Sequence, residues 1–241
     1  MAQTGGWRTG LGRLAPTVPP FALEPKKTAL VIIDMQYCDA HPDYGLGIFF
    51  RQHYPDVHSY YFGRLAQVVM PNHKKLLEFF RRNALRIVYV AVGSLLPDKS
   101  DLHVLRKQRE SAKSQIRPAV LGTVGSFEHR ILDEIAPQEG ELVINKNSYG
   151  AFNSTAIDQL LRNMQVECLV ITGVATYGCV LATALDAADR GYKCVVVEDA
   201  VAGPEDGLHN AALGIFHTTC GRVETADAVC AELQKALSVV P

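Results

Sequence analysis

The chain has 241 residues, with 24 basic against 25 acidic side chains and a formal net charge of −1. That balance leaves no electrostatic footprint for nucleic acid or for an anionic membrane surface. No apolar run nears the ~20 residues needed to span a bilayer. The N-terminal "MAQTGGWRTGLGRLAPTVPP" has no continuous apolar stretch ahead of a cleavage site, so a signal peptide is not expected either.

Residues 1–26 are Gly- and Pro-rich and aperiodic, which predicts an extended surface arm. Residues 27–241 then form a single domain, the economical choice at this length. "TALVIID" (28–34) is a short apolar run ending in a carboxylate, the pattern of a buried parallel strand. Residues 37–63 are rich in Tyr, His, Gly and Pro and predict a long loop or cap. Leu76, Leu77, Phe80 and Leu85 space a helix over 66–85, which leads into a second strand, "RIVYVAVG" (86–93). After a polar, loop-rich stretch come a short helix over 126–135 and a third strand, "ELVINK" (141–146). A helix over 153–164 follows, capped by Asn153 or Ser154. The fourth strand, "ECLVITGV" (167–174), precedes a helix over 178–190 closed by Gly191. "KCVVVEDA" (193–200) is the fifth strand and 205–220 a further helix. A brief strand, Thr225 as a cap, and a last helix end the chain.

Strands separated by helices predict an α/β fold of three layers, α/β/α, around a doubly wound, mostly parallel, six-stranded Rossmann-like sheet. Ligands of such sheets sit outside the carboxyl ends of the strands. The six cysteines form no CxxC pair and no Cys/His cluster of zinc-finger spacing, so no structural zinc is expected. Without a secretory signal, reduced thiols in a cytoplasm are the expectation.

Three predicted strands deliver chemically capable residues to that edge: Asp34 after the first, Lys146 at the end of the third, and Cys179 just past the fourth. Each has an ordinary reading by itself: a turn aspartate, a solvated lysine, a packed cysteine. Together they describe acyl transfer. The thiolate is the nucleophile, and a helix start and a nearby ammonium both favour it. A carboxylate can take the thiol proton and return it to a leaving amine, and free N–H groups of the turn can hold an oxyanion. Cys38 is a rival thiol, but it opens a loop and gains no helix dipole.

"ALVIIDMQ", "INKNSYGAF" and "ITGVATYGCVLATALDAADRGY…VVVEDA" resemble, in order and spacing, the isochorismatase-like cysteine hydrolase superfamily, which includes nicotinamidases and N-carbamoylsarcosine, biuret and ureidoacrylate hydrolases. The match covers about residues 27–235. The resemblance implies Asp34 as general base, Lys146 as the charge beside the nucleophile, and Cys179 as nucleophile. It also implies a cis peptide between Val174 and Ala175, with the N–H groups of Ala175 and Cys179 forming an oxyanion hole. A cysteine at the nucleophile position favours hydrolysis of a small amide, ureido or carbamoyl substrate over the vinyl ether cleavage of isochorismatases proper; a non-catalytic scaffold is the remaining alternative. Asp101 and His103 lie eight residues beyond the place where nicotinamidases carry a metal-binding pair, so no metal or other cofactor is expected. Gln36, Tyr149, Phe152 and Tyr177 flank the catalytic residues as pocket candidates; Tyr177 replaces the Asp of many relatives. The aromatic 37–63 segment either caps a small molecule or packs on a neighbouring subunit, and His209 reads as a packed or capping histidine. The family resemblance implies a homodimer or homotetramer.

Overall fold

Aliphatic and β-branched runs fit the pleated, two-sided burial of a central sheet, and six of them become strands. These are β1 Thr28–Ile33, β2 Arg86–Val92, β3 Leu142–Lys146, β4 Cys168–Val174, β5 Lys193–Ala202 and β6 Arg222–Glu224. The computed structural model describes residues 6–10, 17–108 and 121–239. The strands pair in the order β3-β2-β1-β4-β5-β6, and every pairing is parallel.

Parallel neighbours need crossovers, and these place helices on both faces. They are α1 Gly45–His53, α2 Pro55–Arg64, α3 Met70–Arg82, α4 Ile157–Asn163, α5 Leu181–Asp189, α6 Asp206–Thr219 and α7 Ala226–Val239. Strand alternation sorts the core into two layers. Leu30 and Ile32 pack with Leu76, Phe80 and Leu233 of α3 and α7, whereas Val31 and Ile33 pack with Leu161, Ala184 and Phe216 of α4, α5 and α6. Among the described residues, no helix is long and apolar enough to cross a membrane.

The strand order reverses between β1 and β4, the position at which a doubly wound sheet opens a crevice beyond its carboxyl ends. Gly173 lets the two strands close there. Its φ is +108°, and a Cβ at this position would lie 2.0 Å from the Ile33 carbonyl oxygen.

The structure corrects four local expectations. Residues 37–63 are helical rather than looped. Pro55 supplies a preset φ at the start of α2, and Phe50 meets Tyr61 edge-on across the α1–α2 hairpin at 6.3 Å. The 126–135 helix is replaced by two short turns, Phe127–His129 and Asp133–Ile135. Its backbone groups are used elsewhere: Tyr37 N–H donates to Arg130 O, and Leu132 N–H to Met35 O. The next helix starts at Ile157, because Asn153 bonds Asp186 and Ser154 bonds Ser148 instead of capping it. The arm is not wholly extended: Gly6–Gly10 forms one helical turn. Trp7, only 3% exposed, lies on the His217 ring of α6, and its indole N–H donates to Glu198 on β5. Arg8 grips the same carboxylate at 2.9 and 3.0 Å.

This anchor is expected to contribute to global stability. Trp7→Ala should lower the unfolding free energy by about 3 kcal/mol, as for other buried aromatic truncations. Denaturant unfolding checks it, and an unchanged midpoint would mean that the turn is not part of the cooperative unit.

Candidate active site

The three residues that the sequence places at strand ends converge. Asp34 follows β1, and its N–H still donates to Val90 O at 2.8 Å while a φ of +53° turns the chain out of the sheet. Lys146 is the last residue of β3, paired with Val92 of β2. Its long stem must carry the ammonium past β2, since two strand spacings of about 9–10 Å separate β3 from β1. Beyond β4 the Val174–Ala175 peptide is cis, and the chain bends through Thr176–Val180 into α5. Gly178, at φ −112° and ψ −108°, breaks the helical path just before Cys179.

The Lys146 ammonium donates to Asp34 Oδ2 at 2.8 Å, to Ser148 O at 3.1 Å and to Cys179 Sγ at 3.3 Å. All three side chains are buried. Asp34 Oδ1 is buried with no hydrogen-bond partner among the described residues, which leaves a carboxylate oxygen able to accept a proton. Burial pushes the Cys179 thiol up to about 12, and the Asp34 carboxylate adds to the rise while Lys146 and Arg106 oppose it. Burial pulls the Lys146 ammonium down, but the charges of Asp34 and Cys179 outweigh that pull, so its net shift is upward. Both shifts favour a protonated Lys146 ammonium beside a neutral Cys179 thiol.

Asp34 and Cys179 form one wall of a cavity of about 740 Å³. Phe49, Phe50 and Tyr61 of the helical hairpin line it as well, so the hairpin contributes to the site within one chain. Two of the pocket candidates, Tyr149 and Tyr177, line it. The Tyr177 ring lies against Gly203, where a Cβ would come within 2.8 Å of it.

Gln36 and Phe152 are corrected as pocket residues. Gln36 is consumed by backbone: its Nε2 donates to His129 O and Val92 O, and its Oε1 accepts from Val92 N–H. Phe152 packs in the core with Tyr192 and under Arg190. Asp101 is a loop organiser that accepts from Ser94 and Leu95 N–H, and the His103 ring lies 5.3 Å from that of Tyr149.

Arg106 is a cavity residue that sequence patterning misses. It is buried, lies 5.5 Å from the Tyr149 ring centroid, and adds a second cation to the site. It sits in the polar stretch between β2 and β3, where no periodicity marks it.

Known proteins share this architecture. A family model described as an Isochorismatase domain matches residues 28–228. A ureidoacrylate amidohydrolase, RutB, of Methylobacterium radiotolerans is 31% identical over 233 residues, covering 92% of this chain and 88% of its own length. A cysteine hydrolase from Pseudomonas syringae pv. phaseolicola 1448A superposes with a TM-score of 0.75 at 20% identity, over 91% of this chain and 99% of its own, a likeness of fold. An N-carbamoylsarcosine amidase from Thermoplasma acidophilum gives a TM-score of 0.59 at 28% identity, over 83% of this chain and 97% of its own.

The buried pair should matter most when only one side is removed. Lys146→Met leaves Asp34 as an uncompensated buried carboxylate and is expected to cost about 3–5 kcal/mol of stability, whereas Asp34→Asn together with Lys146→Met recovers most of the loss. Urea unfolding of both variants decides it; equal losses would show that the two charges are not coupled.

Proposed function

The chain belongs to the isochorismatase family, and on that footing we propose that it is an amidohydrolase. It would cleave a C–N bond of a small amide, ureido or carbamoyl substrate through a thioester on Cys179. The observation that carries this reading is the Lys146 ammonium set between Asp34 Oδ2 and Cys179 Sγ, two residues that line one cavity.

Asp34 takes the thiol proton as the sulfur attacks the substrate carbonyl carbon. The Lys146 ammonium compensates the charge that moves from carboxylate to sulfur. The carbonyl oxygen becomes an oxyanion, received by the N–H groups of Ala175 and Cys179. The C–N bond then breaks, and Asp34 returns its proton to the departing ammonia or amine. In the second half Asp34 takes a proton from water, whose oxygen attacks the thioester carbonyl. The sulfur leaves with its electron pair and regains a proton from Asp34.

Arg106 suggests what the far end of the substrate carries. A guanidinium lining this cavity suits a carboxylate, which it can bind bidentately. The relative named for ureidoacrylate supports this choice, because that word describes a ureido group and a carboxylate in one molecule.

Ammonia release measured across primary amides, ureas and carbamoyl amino acids tests the activity. Turnover of at least one class, abolished in Cys179→Ala, is expected; a Cys179→Ala variant at the wild-type rate would remove the mechanism. Arg106→Met is expected to raise KM about 10–100-fold for substrates bearing a carboxylate, the size of a lost charged hydrogen bond, and to spare neutral amides. A uniform change across both groups would refute the carboxylate assignment.

A further inference from the structure

Next to the Ala175–Val180 turn lies a string of buried polar groups that the proposed reaction does not use, and none of their side chains lines the cavity. Thr176 Oγ1 is 2.8 Å from His209 Nδ1 on α6. His209 Nε2 is 3.2 Å from Arg64 Nη2 at the end of α2. The same Arg64 donates through Nη2 to Glu198 O at 2.8 Å and through Nε to Val201 O at 3.3 Å. Thr176, His209 and Arg64 are all buried.

Of the two carbonyls that hold Arg64, that of Glu198 belongs to an irregularity in β5 and that of Val201 lies where pairing with β4 resumes. The β4–β5 register passes from Ile171↔Val196 to Gly173↔Val201, and this shift turns backbone groups out of the ladder. Arg64 satisfies one of them, Glu198 O, and Asn72 Nδ2 donates to another, Asp199 O.

The direction of the string follows from its chemistry. A guanidinium only donates, so His209 Nε2 must accept and the single proton of the neutral ring must sit on Nδ1. That proton donates to Thr176 Oγ1. Burial, with the Arg64 charge beside it, lowers the ring to about 3, so it stays neutral at any ordinary pH. The tautomer is thus fixed by Arg64, as the partner of one ring nitrogen fixes the role of the other.

We propose that His209 is a positioning residue: through its Nδ1–H bond to Thr176 it holds the Ala175–Val180 turn so that the two oxyanion-binding N–H groups stay aimed at the reacting carbonyl. The inference rests on the reading of Cys179 as nucleophile. Thr176 stands between Ala175 and Cys179 in sequence and is the place where α6 grips the turn. A loosened turn would still carry its thiol but would present its N–H groups less accurately.

Two reactions of the same sulfur separate this role from simple structural support. Acylation by p-nitrophenyl acetate forms the S–C(acyl) bond through a tetrahedral oxyanion and expels p-nitrophenolate with its electron pair. Alkylation by iodoacetamide displaces iodide from a saturated carbon and passes through no oxyanion. Both need the thiolate, so the ratio of their rates reports support of the oxyanion.

In Thr176→Val and His209→Phe the acylation-to-alkylation ratio is expected to fall about 10–100-fold, below the full loss of an oxyanion donor, with alkylation itself within about threefold of wild type. Thr176→Ser should restore the ratio to within about threefold. An unchanged ratio in Thr176→Val, or acylation and alkylation falling in parallel, would overturn the proposal. If His209→Phe does not fold, the Thr176→Val and Thr176→Ser pair decides it alone. A burst of p-nitrophenolate that persists in Cys179→Ala would instead overturn the nucleophile on which the inference rests, a result distinct from failure of the positioning role.

Discussion

A lysine ammonium buried with a carboxylate on one side and a sulfur on the other is the constraint from which the site follows. Taking an ammonium out of water costs several kcal/mol even after relaxation. Here Asp34, Ser148 O and Cys179 Sγ surround Lys146 Nζ within 3.3 Å and offset that cost. Those three partners come from the end of β1, the loop after β3 and the turn after β4. The strand order therefore decides whether the lysine can be buried at all. With β2 as the single strand between β3 and β1, one long side chain spans the gap.

Burial raises the thiol just as it lowers the ammonium, because in each case the neutral form is the one favoured away from water. The proposed proton transfer reconciles the two. When a proton moves from Cys179 to Asp34, negative charge passes from carboxylate to sulfur without any net charge appearing in the buried site. The ammonium lies 2.8 Å from one carrier and 3.3 Å from the other, so it compensates either state. A thiol held up to about 12 in the resting site is thus compatible with attack, since its thiolate is needed only while Asp34 holds the proton.

Strand content and the convergence of three residues at one sheet edge were legible in the sequence because both depend on short, local signals. Apolar runs such as "TALVII" cannot face water on either side, and parallel topology sends the residues after them to one edge. Asp34, Lys146 and Cys179 were readable for that reason. Tertiary demand overrode local pattern elsewhere. The 126–135 segment has the composition of a helix, but its backbone groups pair with Met35 and Tyr37 across the sheet end. Gln36 sits two residues from Asp34 in sequence, yet its carboxamide is used up on the backbone of Val92 and His129. Trp7 and Arg106 each act through one side chain in an aperiodic stretch, and a pattern of one residue has no period to detect.

The irregular part of the sheet also serves the site. In β4 the single residue Thr172 stands opposite the four residues 197–200 of β5, an excess that a regular ladder could not absorb. The displaced Glu198 carbonyl and the nearby Val201 carbonyl give Arg64 its seat, Arg64 fixes the His209 tautomer, and His209 reaches Thr176. The strand resumes its pairing at Val201 and Ala202, and the next residue, Gly203, has no side chain to collide with the Tyr177 ring in the cavity wall. The bulge thus braces the Ala175–Val180 turn through polar contacts, and the glycine just after it makes room for the aromatic wall. A β5 of regular register would have turned no Glu198 carbonyl toward Arg64, and losing an acceptor is costly for a buried cation.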